Sequence, residues 1–409
     1  MSGPRLNCTP SRPSWAGSEA YRASSLRSCS VGVTTRQRKV LSATAGSLRW
    51  TGSIGRWGGH RRRLEGIDPP RRARRRRRRA DRLIALDRRT AIWLGVFGGV
   101  LALAVLLRLM VGPAGLGWPS DATVLGLRGT RVLTGVIVGG SLGAAGVMLQ
   151  ALLRNPLASP DLVGVSAGAG FGVMVSFALG AAAGQGAVPL LGLGGPALVG
   201  GAGALLMVVG LSQCRGLVDP VSMILVGVIL SIVLGSASML LRQALPDRGL
   251  LAARWLLGDL SDDVSRSQLL WGGVICVVGV GVGAWLGRAM DAASMGEDEA
   301  RSVGVPLGGL RATLFLGGGA LTASTVVLAG PIGFVGLVAP HVVRLVMGPS
   351  HRALVVGAAI AGAALVVGAD AAIRLVELPG GRPPIGAITS LIGGPLFILL
   401  LRREMGRGA

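Results

Sequence analysis

Four ionisable residues, Arg108, His341, Arg344 and Asp370, lie within or at the ends of long stretches that are otherwise apolar. Carboxylates and histidines in that setting bind and release protons or cations, and a chain of them makes a relay. Four scattered residues, two of them arginines, make no such chain, so the energy for any movement of a substrate is expected from a separate subunit. Nucleotide hydrolysis of the P-loop type needs a lysine after a glycine-rich turn. The chain's one lysine, Lys39, lies in TTRQRKVLS. Cys8, Cys29, Cys214 and Cys276 form no CxxC pair, which suggests reduced thiols. His60, His341 and His351 are too few and too scattered for a metal cage. The expectation is a protein without covalent chemistry, metal or cofactor of its own.

The elements that carry these residues are membrane elements. Half of the residues are apolar, mean hydropathy is +0.61, and charged residues fall to 15% against roughly 25% in soluble domains. The 68 glycines are well above average usage, and small residues let transmembrane helices approach closely. A span needs about 20 mainly apolar residues. Runs of that kind occur at 91–112, 131–151, 162–181, 187–212, 221–242, 268–287, 309–329, 332–348, 353–373 and 385–402. The fold class is therefore all-α, a polytopic membrane protein of about ten transmembrane helices. In the eighth run, AGPIGFVGLVAPHVVRLVMG, Gly330, Pro331, Gly333, Gly336 and Pro340 interrupt helical hydrogen bonding. Such a segment survives at membrane depth when it packs against other helices or lines a polar cavity.

The net charge of +23 is concentrated in one place. Met1 to Arg89 holds 23 Lys+Arg against 5 Asp+Glu and ends in PPRRARRRRRRADRLIALDRR. Residues 1–89 are expected to be a disordered Arg-rich cytoplasmic extension, held inside by the positive-inside rule and drawn to anionic lipid. The run before Ala91–Val111 also resembles an uncleaved signal anchor. No aromatic stacking platform or zinc-finger spacing accompanies it, so no specific nucleic-acid partner is expected. An even number of spans then puts both termini in the cytoplasm, in a multi-pass protein of the cytoplasmic (inner) membrane. Residues 90–409 form the membrane domain. Its least lipid-like part is the loop at 288–311, where Ala293, Met295, Ala300 and Val303 can share one side of a short helix while Glu297, Asp298, Glu299 and Arg301 stay solvated. That pattern suits a docking surface and an ordinary surface helix equally.

Several ordered motifs resemble those of the FecCD-type permeases, the transmembrane subunits of ATP-binding-cassette importers for iron-siderophores, haem and cobalamin. They are LRGTRVLTGVIVGGSLGAAGVMLQALLRNPLASPDLVGVSAGAG from Leu127, MILVGVILS from Met223, WLLGDLS from Trp255, MGEDEARSVGV from Met295, GPIGFVGLVAPHVVRLVMGPSHR from Gly330 and PIGAITSLIGGPLFILLLRR from Pro384. The resemblance runs from about Ala91 to Arg403. It implies a cobalamin-importer-permease-like fold, a homodimer or related permease heterodimer, an extracytoplasmic substrate-binding protein, and an ATPase subunit that binds the ATP. The implied cargo is an Fe(III)-siderophore, with cobalamin or haem as the alternative within the family and an ion-coupled secondary transporter as the rival outside it.

The resemblance also implies roles for residues. Arg128 and Arg131 occupy the family's LRxxR motif and, with Arg374, would dock the binding protein. Asn155 and Leu157 in RNPLASP match a cytoplasmic gate, with Ser222 near a second gate; by its own chemistry Asn155-Pro156 is also an ordinary turn. Met295, Gly296, Glu297, Asp298, Glu299, Arg301, Val303 and Gly304 match the coupling element that contacts the ATPase, with Met295 and Val303 expected to pack. The chain departs from the family in Gly129 and Thr130 and in the added residues of LPGGRPPIG.

Overall fold

The computed structural model describes residues 88–405 apart from 113–114, 120, 183–193, 215–216, 219, 246–255, 261–263 and 376–381. The Arg-rich extension up to residue 87, and part of LPGGRPPIG, lie outside the described residues. Within them the chain forms eleven α-helices: α1 (Arg88–Met110), α2 (Ala122–Leu153), α3 (Val165–Ala182), α4 (Gly194–Leu211), α5 (Pro220–Gln243), α6 (Arg266–Met295), α7 (Glu297–Ser302), α8 (Leu307–Ala329), α9 (Val335–Met347), α10 (His351–Ile373) and α11 (Ile385–Met405). Two antiparallel hairpins of two-residue strands lie among them, β1 (Val111–Gly112) with β2 (Gly115–Leu116), and β3 (Gln213–Cys214) with β4 (Leu217–Val218). Each of the ten expected spans corresponds to a helix, and eight of the helices are long and apolar enough to cross a membrane.

Two helices extend beyond the sequence expectation, and capping explains where each of them starts. Helix α2 begins at Ala122, nine residues before the expected start, because Asp121 accepts a hydrogen bond from the Thr123 N–H at 2.9 Å. Helix α6 starts on a capping box, Ser265 with Gln268, and runs on to Met295. The first part of the expected 288–311 loop is thus the last two turns of a 30-residue helix.

Helix α2 is the axis of the bundle: 83% of its membrane-length window is buried, against 11% for α1, α5 and α6. It packs on α8, α9 and α10, with α3 and α4 forming a neighbouring pair. Small residues permit this. A Cβ on Gly139 would lie 2.2 Å from the Gly362 carbonyl oxygen, and one on Gly362 equally close to that of Gly139, so α2 and α10 touch backbone to backbone.

The interrupted segment resolves into a five-residue break, Gly330–Phe334, and the 13-residue α9, about 20 Å long at 1.5 Å per residue. Pro340 has no N–H to offer the Gly336 carbonyl one turn back. That carbonyl turns to α2 instead, where it would lie 1.9 Å from a Cβ on Gly146. Packing against other helices, one of the two solutions open to the sequence, is what accommodates this backbone.

Candidate functional site

Most ionisable residues of the bundle collect at its two ends, where one carboxylate at each gathers several arginines, while His341 stays buried in the middle of α9 with its ring edge-on to Phe397 of α11. At the first end α1 stops, α2 starts and α10 stops. Asp370 on α10 is 1% exposed and receives the Arg108 guanidinium from α1 on one oxygen. Its other oxygen accepts from Arg131 Nε on α2 at 2.9 Å. Arg131 Nη2 reaches on to Asp259 at 3.2 Å, whose side chain is half exposed. Burial raises the Asp259 carboxyl above its ordinary range, Arg131 draws it back, and the Asp370 charge adds to the rise. The Asp259 segment is itself tied down, its N–H donating to Ala329 O at 2.8 Å while Gly258 O accepts from Gly386 N at 3.1 Å. It therefore joins the end of α8 to the start of α11.

All three expected docking arginines fall at this end. Arg128 is half-buried and donates to the Leu109 carbonyl and, at 3.2 Å, to that of Gly117, so it closes the C-terminus of α1 over the β1–β2 hairpin. Arg131 is buried in the ion network. Arg374 is half-buried and follows α10, its N–H donating to Asp370 O at 3.3 Å. Asp370 and Arg108 are each conspicuous in the sequence as charges in apolar runs, but 262 positions separate them and nothing in the sequence joins them.

At the opposite end α2 stops, and the expected gate turn follows it. Arg154 takes a left-handed conformation at φ 47°, and the Asn155 N–H returns to Gln150 O at 3.1 Å. The Asn155 side chain then accepts from Leu157 N at 2.9 Å, and Ala158 N donates to Asn155 O at 3.1 Å. This is the Asn-initiated turn that the sequence allowed. From the core side, buried Gln150 donates to Ala158 O at 3.4 Å and accepts from Arg344 of α9 at 2.9 Å. Leu157 stays 38% exposed. A 3₁₀ turn, Pro160–Val163, leads into α3, and burial pushes its Asp161 carboxyl up to about 6 while the Ser166 hydroxyl donates to it at 3.2 Å. Ser222 lies in the first turn of α5, next to Met223, which is buried with Leu152 and Val163, so both expected gate positions are brought to one end.

The expected coupling element is α7, set between α6 and α8. Gly296 separates it from α6, and Gly304 at φ +81° follows it. Ala300 is buried as expected, but Met295 and Val303 are 76% and 69% exposed, so the packing expected of them is not made within this chain. Glu297 gathers three guanidiniums: Arg311 of α8 at 2.5 Å, Arg301 at 3.6 Å and Arg154 at 3.7 Å. Asp298 pairs with Arg301 at 3.6 Å, and Glu299 folds back over Gly296. Beside them, Asp291 of α6 accepts from the His351 N–H at 2.9 Å and contacts its Nδ1 at 2.7 Å, fastening the start of α10. Arg154 is part of the RNPLASP motif, yet its partner Glu297 belongs to a distant motif and no sequence signal links the two.

Comparison with known proteins places this arrangement among transporters. The FecCD transport family matches residues 90–403. The cobalamin import system permease BtuC of Halobacterium salinarum is 34% identical over 318 residues, covering 75% of this chain and 81% of that protein. The vitamin B12 import system permease BtuC of Citrobacter koseri is 34% identical over 338 residues, covering 78% and 96%. A solved transporter described as of metal-chelate ABC type, in an inward-facing conformation, aligns over 76% of this chain and 99% of its own at 27% identity, with a TM-score of 0.66.

Proposed function

The chain belongs to the FecCD transport family, as the permease of an ATP-binding-cassette importer, and from that premise we propose that it carries a bulky metal chelate inward under the drive of a separate ATPase subunit. The observation that carries the reading is the pairing of Asp370. Two guanidiniums hold this buried carboxylate, so it is already neutralised and offers no free charge for a coupled proton or cation. Energy must then enter elsewhere, and α7 is the element built to receive it. It is exposed, charged, and flanked by the apolar side chains of Met295 and Val303, which this chain leaves uncovered. Met295, Gly296, Glu297, Asp298, Glu299, Arg301, Val303 and Gly304 form the ATPase contact, with Asn155, Leu157 and Ser222 at the gate above it. Arg128 and Arg374 face the substrate-binding protein at the other end, where long-range attraction orients the encounter, while Arg131, buried with Asp370, fixes the helix ends behind them. Both termini lie on the cytoplasmic side of the inner membrane.

For the cargo, cobalamin has the support of the named relatives at 34% identity. The Fe(III)-siderophore suggested by the sequence motifs shares its chemistry, a large chelate read mainly by the binding protein. Uptake of cobalt-labelled cyanocobalamin and of iron-labelled ferric siderophore, in a strain given the chain with its ATPase and binding protein, separates the two. ATP-dependent uptake of one of them is the expected result. Uptake that survives ATP depletion and collapses with the proton gradient overturns the ATP-driven reading.

A further inference from the structure

The gate turn and α7 meet through a charged pair whose two members belong to different rigid pieces. Residues 154–158 behave as one piece, because Asn155 N, Leu157 N and Ala158 N are all bonded within the turn or back to α2. The core side of that piece is held by Gln150. Its outer side carries Arg154, 42% exposed, facing Glu297 at 3.7 Å. Glu297 opens α7 and shares the same carboxylate oxygen with Arg311 of α8. One carboxylate is therefore shared by α7, by α8 and by the turn.

We infer that Arg154 is a positioning residue that makes the gate turn follow α7. A displacement of α7 changes how Glu297 divides its charge between Arg311 and Arg154, and the turn, bonded to Arg154 as a unit, moves with its guanidinium. A half-exposed ion pair suits such a linkage. It is weak enough to be made and broken in every cycle, and Coulomb attraction tolerates sliding where a tight hydrogen bond does not. The inference rests on the reading of α7 as the ATPase contact and of residues 155–157 as a gate.

The test uses the permease with its ATPase subunit in proteoliposomes. Cys8, Cys29, Cys214 and Cys276 are replaced by serine, and Leu157→Cys serves as the reporter. Maleimide labelling of that cysteine is timed without nucleotide and with ATP plus vanadate. In the parent the two rates differ. Arg154→Gln reduces that difference about two- to fivefold, the range open to an exposed pair, and Arg154→Lys retains it. Co-purification of the ATPase is unchanged in both variants, and a single symmetric gel-filtration peak verifies folding.

An undiminished difference in Arg154→Gln overturns the inference, as does a loss in Arg154→Lys equal to that in Arg154→Gln. Lost co-purification in Arg154→Gln also overturns it, by making Arg154 part of the docking surface. Equal rates in the parent overturn its premise of a moving turn. Failure of the parent itself to hold the ATPase instead removes the α7 reading, and the inference with it.

Discussion

The two ends of the bundle use the same chemistry, arginines around a carboxylate, in opposite surroundings. Asp370 with Arg108 and Arg131 is sealed inside, at 1% and 2% exposure for Asp370 and Arg108. Glu297 with Arg154, Arg301 and Arg311 is open, Glu297 itself being 38% exposed. Burial makes the difference. A buried pair gains little net energy from forming, because desolvation offsets attraction, yet losing one partner leaves an uncompensated charge in a low dielectric. An exposed pair has water as an alternative partner throughout. The first cluster is a fixed joint among α1, α2 and α10, and the second is an adjustable one.

The largest effect that tests this contrast is expected from Asp370→Ala. It strands two guanidiniums, one of them 2% exposed, and should cost about 3–5 kcal/mol, the range for breaking a buried pair. Thermal unfolding in detergent, followed by gel filtration, should show a large fall in midpoint or no folded protein. A midpoint close to the parent's would make the joint dispensable. Replacing Arg108 and Asp370 together by apolar residues should recover part of the loss, since Arg108 is no longer stranded while buried Arg131 still loses Asp370 and keeps Asp259.

Asp161 sharpens the comparison from another side. Among the described residues it has the Ser166 hydroxyl beside it rather than a guanidinium, and its carboxyl is raised to about 6 from 3.8. A raised carboxylate pKa means that the folded state binds its proton more tightly than the unfolded state does. Its contribution to stability is therefore present below about pH 4 and is lost as pH rises through about 6. Asp161→Asn should stabilise the protein at pH 7 by no more than about 3 kcal/mol, at 1.36 kcal/mol per pKa unit. It should bring no gain at pH 4. Melting midpoints of parent and variant across that range check the sign; a variant that gains equally at both values would show that burial of the charge is not the cause.

Much of the fold was legible because the apolar runs are long and bounded by charges, which is what a bilayer selects. The missed boundaries belong to helices that leave the apolar region, where span length no longer informs: Asp121 caps the early start of α2, and α6 runs on past its apolar run to Met295. The site was legible only where its logic is local. Asn155 announces its own turn, and the acids of α7 announce exposure. Pairings such as Arg108 with Asp370, or Arg154 with Glu297, depend on which helices pack together, and a single sequence carries no signal for that. Met295 and Val303 show the limit in another way: their spacing indicates an apolar face, but not whether its partner is this chain or another one.

The smallest effect on stability should come from Glu297→Gln, and it separates the two ends most clearly. Exposed pairs contribute about 0–1 kcal/mol each; when the charge is removed Arg154 and Arg301 keep access to water and Arg301 also keeps Asp298, while Arg311, 19% exposed, is the one that loses a part-buried partner. Loss of the negative charge also relieves no burial, so the melting midpoint should stay near that of the parent. The functional consequence is larger than the structural one, because α7 loses the carboxylate that it shares with Arg154 and Arg311. Pull-down of the ATPase subunit should weaken several-fold in Glu297→Gln, and more so at low ionic strength, where exposed charges act at longest range. A variant that unfolds as Asp370→Ala does would place Glu297 in a fixed joint and erase the distinction between the two ends. A variant that keeps both its midpoint and full ATPase capture would leave Met295 and Val303, the apolar flanks of α7, as the part of the contact that matters.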